Sequence, residues 1–263
     1  MQADVSDKVE SAGVQSVEVG LALIKPLIAA GRPLPLKAIA QAAGLAPPKA
    51  HRYLVSLIRA GLIERVLGSR YYVLGPLAVE LGLAALGMVD QDGTARQAIS
   101  NLALKTGVTC CTAAWVNEAV VVTAVEFGIG VIFTGVRLAS RLTLLRSASG
   151  RVFLSYLARE RTARALSAEL SHETFTNDDV ERIIRETRHD GISTAYNLVV
   201  PGMSGLAVPV FDHSSHIVYT ITMTGQTGEH DFTVGGALAQ LAMAKAAELS
   251  ARLGFKPQLA EGA

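Results

Sequence analysis

The stretch LKAIAQAAGLAPPKAHRYLVSLIRAGLIERVLGSRYYVL, Leu36 to Leu74, reads as two short helices, a tight glycine turn and a β-hairpin. Leu36, Ile39, Ala40 and Ala43 give the first helix one apolar face, and Gly44 supplies the permissive backbone at which it can stop. Pro47 and Pro48 fit only the first turn of a second helix, where their missing N–H groups would have had no helical partner. Ala50, Leu54, Leu57 and Ile58 then recur at helical spacing and must face a core, which leaves Lys49, Arg52, Ser56 and Arg59 on the opposite, cationic side. Gly61 ends this helix. Leu62–Val66 and Tyr71–Leu74 read as strands around the turn Leu67-Gly68-Ser69-Arg70. Helix, turn, helix and hairpin is the winged helix-turn-helix plan, whose second helix enters a DNA major groove.

Working outward, residues 1–13 read as a flexible polar arm. A helix capped by Ser16 follows, with Val17, Leu21, Ile24 and Ile28 as its buried stripe and Pro26 as a kink or break. Gly31–Pro35 reads as a connector. Beyond the hairpin, Gly75-Pro76 opens a helix over Leu77–Val89, with Leu77, Leu81, Ala84 and Ala85 on one side; its place between two modules suits a spacer and a dimer contact. The remainder alternates strands with amphipathic helices. Helices are expected at Thr94–Thr106, Ser147–Leu157, Arg159–Leu170, Asn177–His189 and Thr233–Leu253. Strands are expected at Val108–Val116, Val120–Phe127, Ile129–Val136, Ile192–Leu198, Ser204–Phe211 and Ile217–Met223. Short, hairpin-like connections between the strands indicate an α+β domain on an antiparallel sheet.

Composition agrees with two folded modules. The 263 residues are half hydrophobic, enough for sizeable cores, and no apolar run approaches the ~18 residues a membrane span needs. The first residues carry neither a signal core nor an arginine-rich transit pattern, so a cytoplasmic protein with no membrane partner is expected. A net charge of +1 hides an asymmetry: residues 14–75 hold eight Lys and Arg against two Glu, so a basic module precedes a mildly acidic one. That pattern suits a polyanion partner for the first half only. Cys110 and Cys111 are adjacent in a strand-like run and point to opposite faces, which offers no disulfide framework and reads as buried thiols. His213 and His216 have H-x-x-H spacing but no further ligand at suitable spacing, so a solvated turn is the better reading than a metal site. His189-Asp190 and His230-Asp231 lack a serine in a nucleophile elbow, and neither an enzyme nor a cofactor is expected.

Three segments carry a resemblance to a known family. They are Val14-Gln15-Ser16-Val17-Glu18; the pattern Ala40, Gly44-Leu45, His51-Arg52-Tyr53-Leu54, Gly61-Leu62-Ile63 and Tyr71-Tyr72-Val73-Leu74-Gly75; and Gly202 with Leu206-Ala207-Val208-Pro209-Val210-Phe211-Asp212. Over residues 14–255 the chain resembles the IclR family of bacterial transcriptional regulators. The resemblance implies a winged helix-turn-helix at 14–75, a linker and dimerisation helix at 76–90, a GAF-like effector-binding domain at 91–255 and a tail at 256–263. It also implies double-stranded operator DNA and a small-molecule effector as partners, and a homodimer or a dimer of dimers. By position, Lys49, His51, Arg52 and Ser56 would face DNA, with Arg70 on the wing. Arg52 can pair bidentately with guanine or touch phosphate alone. Where the family often has Ser or Thr, this chain has Pro48 and Lys49.

The effector site implied by the resemblance lies between a helix start, written here Leu144, Arg146, Ala148, Ser149 and Gly150, and strands carrying Tyr196, Met203, Gly205, Thr222 and Thr224, with Phe133 nearby. A helix start offers free N–H groups to a carboxylate or phenolate oxygen. Ala195 and Tyr196 stand where acid-binding members have an acidic pair, and Gly205 where they have cysteine. These departures point to a larger, aromatic effector with a carboxylate that Arg146 could meet. The alternatives are a small aliphatic organic acid, or a structural DNA-binding protein without effector, with Arg146 in solvent and Tyr196, Trp115 and Phe133 as filling.

Overall fold

A computed structural model describes residues 13–89, 93–129 and 136–256. It divides between Leu86 and Gly87 into two units.

The first unit runs α1 (Gln15–Ala22), α2 (Lys25–Ala30), β1 (Leu34–Pro35), α3 (Leu36–Ala42), α4 (Pro47–Arg59), β2 (Ile63–Arg65), β3 (Tyr71–Leu74) and most of α5 (Pro76–Val89). Pro47 and Pro48 occupy the first turn of α4, and Ala50, Leu54 and Leu57 are its buried face. Each such leucine contributes on the order of 1.5–3 kcal/mol by leaving water. Leu54 packs in one core with Ile39, Leu23, Leu27, Ile63 and Tyr72. Gly44, at φ +66°, makes the turn between α3 and α4. The wing is a three-stranded antiparallel sheet in the order β1-β3-β2, so the segment read as a connector contributes a strand, pairing Leu34 with Tyr72.

The first helix departs from the sequence expectation. Its N-cap is Val14, not Ser16, and the helix breaks at Leu23 and Ile24, with Pro26 in the first turn of α2. The buried face of α1 is another one. Val17, Leu21 and Ile28 are about half exposed at 57%, 48% and 57%, while Leu23 and Leu27 are buried and Ile24 packs beside them. The expected stripe is apolar but faces outward from its own unit.

The second unit runs α6 (Thr94–Thr106), β4 (Thr109–Val116), β5 (Ala119–Glu126), β6 (Arg141–Leu142), α7 (Ala148–Tyr156), α8 (Arg159–Leu170), α9 (Asn177–Asp190), β7 (Ser193–Tyr196), β8 (Met203–Phe211), β9 (Ile217–Gln226) and α10 (Ala237–Arg252). Its sheet is antiparallel throughout, in the order β6-β5-β4-β9-β8-β7. Most of the expected strand Ile129–Val136 lies outside the described residues, and the short β6 was not anticipated. Asn117 and Glu118, at φ +48° and +58°, close the β4–β5 hairpin in the left-handed pair of conformations that suits strand twist.

Alternation gives the sheet two unlike faces. On one, Cys110, Ala114, Leu206, Val208, Ile221 and Met223 form an apolar core with α6 and α10. On the other, Ala113 and Val120 pack with α7 and α9, but Cys111, Thr222 and Gly205 meet a cavity. Ser147 caps α7 at the expected start: its hydroxyl accepts the Gly150 N–H at 2.9 Å and donates to the Thr143 carbonyl at 2.6 Å.

Two outcomes follow from these local fits. A Cβ on Gly150 would lie 2.0 Å from the Thr143 oxygen and 2.6 Å from the Leu144 Cα, both backbone. Gly150→Ala should therefore lower stability by about 1–3 kcal/mol, read by denaturant unfolding. At the start of α9, Asp179 accepts the Thr176 N–H and bonds Arg182, which holds its carboxyl at about 2, below the ordinary 3.8. A lowered folded pKa contributes stability above about pH 4 that disappears as pH falls toward 2. The stability difference between the wild type and Asp179→Asn should shrink over that window.

Candidate effector cavity and nucleic-acid interface

The exposed face of α4 carries Lys49, His51, Arg52, Ser56 and Arg59 in succession. Pro47 and Pro48 at its first two positions remove two N–H groups that a helix start otherwise turns toward phosphate. Contact there must come from the Lys49 N–H and from side chains. Ser56 points its hydroxyl at the Arg52 carbonyl at 3.5 Å. On the wing, Gly68 adopts φ +71° and Ser69 donates to the Val66 carbonyl at 3.0 Å. Arg65 braces the turn from the strand, its Nε donating to the Ser69 carbonyl at 2.9 Å. Arg70 is exposed beside it. The helix and wing thus present cations from two elements of one unit, the arrangement a duplex backbone requires.

In the second unit, three elements surround a cavity of about 60 Å³. The start of α7 supplies Ser147, Ala148 and Ser149; the sheet supplies Cys111, Thr222, Thr224, Ala195, Met203, Ser204 and Gly205; Val199 and Val200 come from the β7–β8 connection. Strand pairing brings the sheet residues together. Cys111 and Ala207 both pair with Thr222, while Ala195 pairs with Gly205 and Gly205 with Thr224. No charged side chain lines this cavity among the described residues.

Its hydroxyls already have partners. Ser149 and Thr222 share a hydrogen bond of 2.5 Å, and Thr224 donates to the Ser204 carbonyl at 3.0 Å. Burial pushes the Cys111 thiol up to about 12, against a lowering contribution from the Thr222 hydroxyl, so in the closed cavity it is no nucleophile at neutral pH. Beside the capped Gly150, the N–H groups of Ala148 and Ser149 begin the helix, where the dipole favours an oxygen ligand.

Of the residues expected at this site, Ala148, Ser149, Met203, Gly205, Thr222 and Thr224 line the cavity. Phe133 lies outside the described residues. Leu144 is buried in the core with Phe153 and Leu154, and Gly150 packs on the backbone of its own leading loop. Tyr196 alternates away from Ala195 and is substantially exposed; burial and then Asp231 raise its phenol pKa. Arg146 is neither in the cavity nor loose in solvent. Its Nε donates to the Leu198 carbonyl at 2.5 Å, and its guanidinium pairs with Glu173 at 3.0 Å. Trp115 sits against Phe153, ring centroids 6.3 Å apart.

Ser147 and Ala195, next to expected residues, also line it, and Cys111, Val136, Leu142, Val199, Val200 and Ser204 complete the lining without having been expected. Thr222 carries the signal for Cys111, because a residue on one strand fixes the face of its partner. The register that makes them partners is a long-range property with no local mark. Arg151 was also missed: mostly buried, it donates from Nε to the Leu145 carbonyl at 2.7 Å and from its terminal nitrogen to the Thr194 carbonyl at 2.9 Å. Burial, then nearby Arg182, lowers its pKa.

Comparison with known proteins bears on both sites. Residues 16–67 match the IclR helix-turn-helix domain and residues 84–251 the bacterial transcriptional regulator IclR C-terminal domain. The HTH-type transcriptional regulator XynR of Escherichia coli (strain K12) is 26% identical over 225 residues, 83% of this chain and 88% of that protein. Pseudomonas aeruginosa HmgR is 28% identical, with a TM-score of 0.61 over 93% of this chain and all of the other. An IclR homologue from Microbacterium hydrocarbonoxydans, solved with 4-hydroxybenzoate, shares the fold at 15% identity and a TM-score of 0.74, over 90% of this chain and 98% of its own. With an N-terminal winged helix-turn-helix and a C-terminal antiparallel-sheet effector domain, the chain belongs to the IclR family of bacterial transcriptional regulators.

Proposed function

We propose that this regulator reads double-stranded operator DNA with α4 and the wing, and responds to a small organic acid held in the cavity at the start of α7. Lys49, His51, Arg52 and Ser56 would meet the major groove and Arg70 the flanking backbone. The effector reading rests on one observation: a cavity without charged side chains among the described residues, lined by hydroxyls, small residues and three valines, set against the first N–H groups of a helix. Such a site favours one oxygen-rich end, at Ala148, Ser149 and the Ser149–Thr222 pair, with a compact apolar remainder against Val199, Val200 and Met203. The volume of about 60 Å³ supports a short monocarboxylate. An aromatic acid is the second reading, supported by the 4-hydroxybenzoate bound to the Microbacterium relative and by the small side of the wall at Ala195 and Gly205. Arg146, committed to Leu198 and Glu173, does not supply the carboxylate contact in either reading.

The regulator would act as a dimer in the cytoplasm. Val79, Leu81 and Leu83 of α5 are more than half exposed in the single chain, which supports α5 as the helix that meets a second copy.

Gel shift on the DNA upstream of its own gene, repeated over a salt series, tests the DNA reading. Arg52→Ala should weaken specific binding about 5- to 150-fold if it reads guanine, from ~1–3 kcal/mol of discrimination. A uniform loss across sequences with a salt slope smaller by about 1 would assign it to phosphate instead. For the cavity, calorimetric titration with pyruvate and with 4-hydroxybenzoate separates the two effector readings. Ala195→Leu should abolish whichever binding is seen without lowering the melting temperature, and retained affinity would place the effector elsewhere.

A further inference from the structure

The β7–β8 connection, residues 197–202, forms one wall of the cavity and stands between it and solvent: Val199 and Val200 line the cavity, and Val199 is more than half exposed. The base of this loop is closed by its own bonds. The Asn197 N–H donates to the Met203 carbonyl at 2.9 Å, and the Asn197 side-chain oxygen accepts the Gly202 N–H at 2.9 Å and the Thr227 hydroxyl at 3.1 Å. Its outer part is held differently, by packing of the Leu198 side chain against the cluster of Ala148, Val152 and Ala207 and by one side-chain bond. The Leu198 carbonyl accepts from Arg146 Nε, and Arg146 is in turn oriented by both carboxylate oxygens of Glu173, at 3.0 and 3.4 Å.

Arg146 itself sits on a fixed platform. In the loop leading into α7, Glu169 accepts the Leu144 and Leu145 N–H groups at 2.6 and 3.0 Å, and Arg151 holds the Leu145 carbonyl. One guanidinium therefore joins a braced loop on one side of the cavity to the outer part of a loop on the other. The Arg146–Glu173 pair is partly exposed, so it can open at modest cost, whereas the core beneath it cannot.

We propose that Arg146 is the latch of the cavity, a positioning residue whose hold on Leu198 keeps the β7–β8 loop closed and whose release admits the effector. The proposal rests on the effector reading for its purpose, but the opening it describes exists without any ligand.

The adjacent cysteines supply the test. Cys111 lines the cavity, and Cys110 lies in the core on the other face of the same strand. Methyl methanethiosulfonate, small and uncharged, is attacked by a thiolate; the new S–S bond forms the methyl disulfide and methanesulfinate leaves. Modification of Cys111 then reports opening of the cavity and modification of Cys110 reports opening of the whole domain, each followed by peptide mass spectrometry on the full-length protein. Arg146→Met should speed Cys111 modification about tenfold, the factor expected from losing one charge-assisted hydrogen bond, at an unchanged Cys110 rate. Glu173→Gln should act in the same direction, and Arg146→Lys, which keeps the ion pair but not the Nε bond, should fall between. Unchanged Cys111 rates in Arg146→Met and Glu173→Gln, as expected if Arg146 served only to meet a carboxylate, would overturn the proposal. A parallel rise at Cys110 would do the same. Because no effector is present, failure here is distinct from a failure of pyruvate or 4-hydroxybenzoate to bind.

Discussion

The loop that leads into α7 has few backbone partners of its own, and the regulatory domain depends on how its polar groups are satisfied. Side chains do this. Glu169 takes two of its N–H groups, Arg151 takes the Leu145 carbonyl, and Ser147 bonds both the Thr143 carbonyl and the Gly150 N–H. Buried backbone left without such partners costs several kcal/mol, so these residues set where α7 begins. Where α7 begins decides where its first N–H groups lie, and with them the oxygen end of the cavity. The cavity is thus a by-product of satisfying a loop.

The sheet contributes the other half of that geometry through its unequal faces. One face is aliphatic and closed by α6 and α10; the other changes from apolar at Ala113 and Val120 to hydroxylic at Thr222 and Thr224. Satisfied hydroxyls let a cavity persist there without a charge. Each already has a partner, so an effector competes with an existing hydrogen bond as well as gaining its own, which favours discrimination over raw affinity.

Periodicity in the sequence carried much of this fold. The faces of α3 and α4, the span Arg159–Leu170 and the opposed cysteines were legible because each follows from local spacing. The N-terminal stripe was misread because the helix breaks before Pro26 and α1 buries another face: Gly20 and Leu23 are buried where Val17 and Leu21 are exposed. At the cavity, Ser149, Ala195, Gly205, Thr222 and Thr224 could be placed by resemblance, whereas Cys111 required the register of strands far apart in the chain. Arg146 shows the same boundary. Its chemistry was plain, but its partners, 27 and 52 residues away, were not.

The two prolines that open α4 have a further consequence. A helix start is ordinarily the part of a recognition helix that frays, and contact with a duplex must then order it. Pro47 and Pro48 have φ fixed in the unfolded chain as well as in the folded one, so little backbone freedom remains there to be lost on docking. The reading edge of this protein arrives at its operator already stiff. On the proposed DNA reading, changes in the preferred sequence would come through the side chains at Lys49, His51 and Arg52 without disturbing the backbone that carries them.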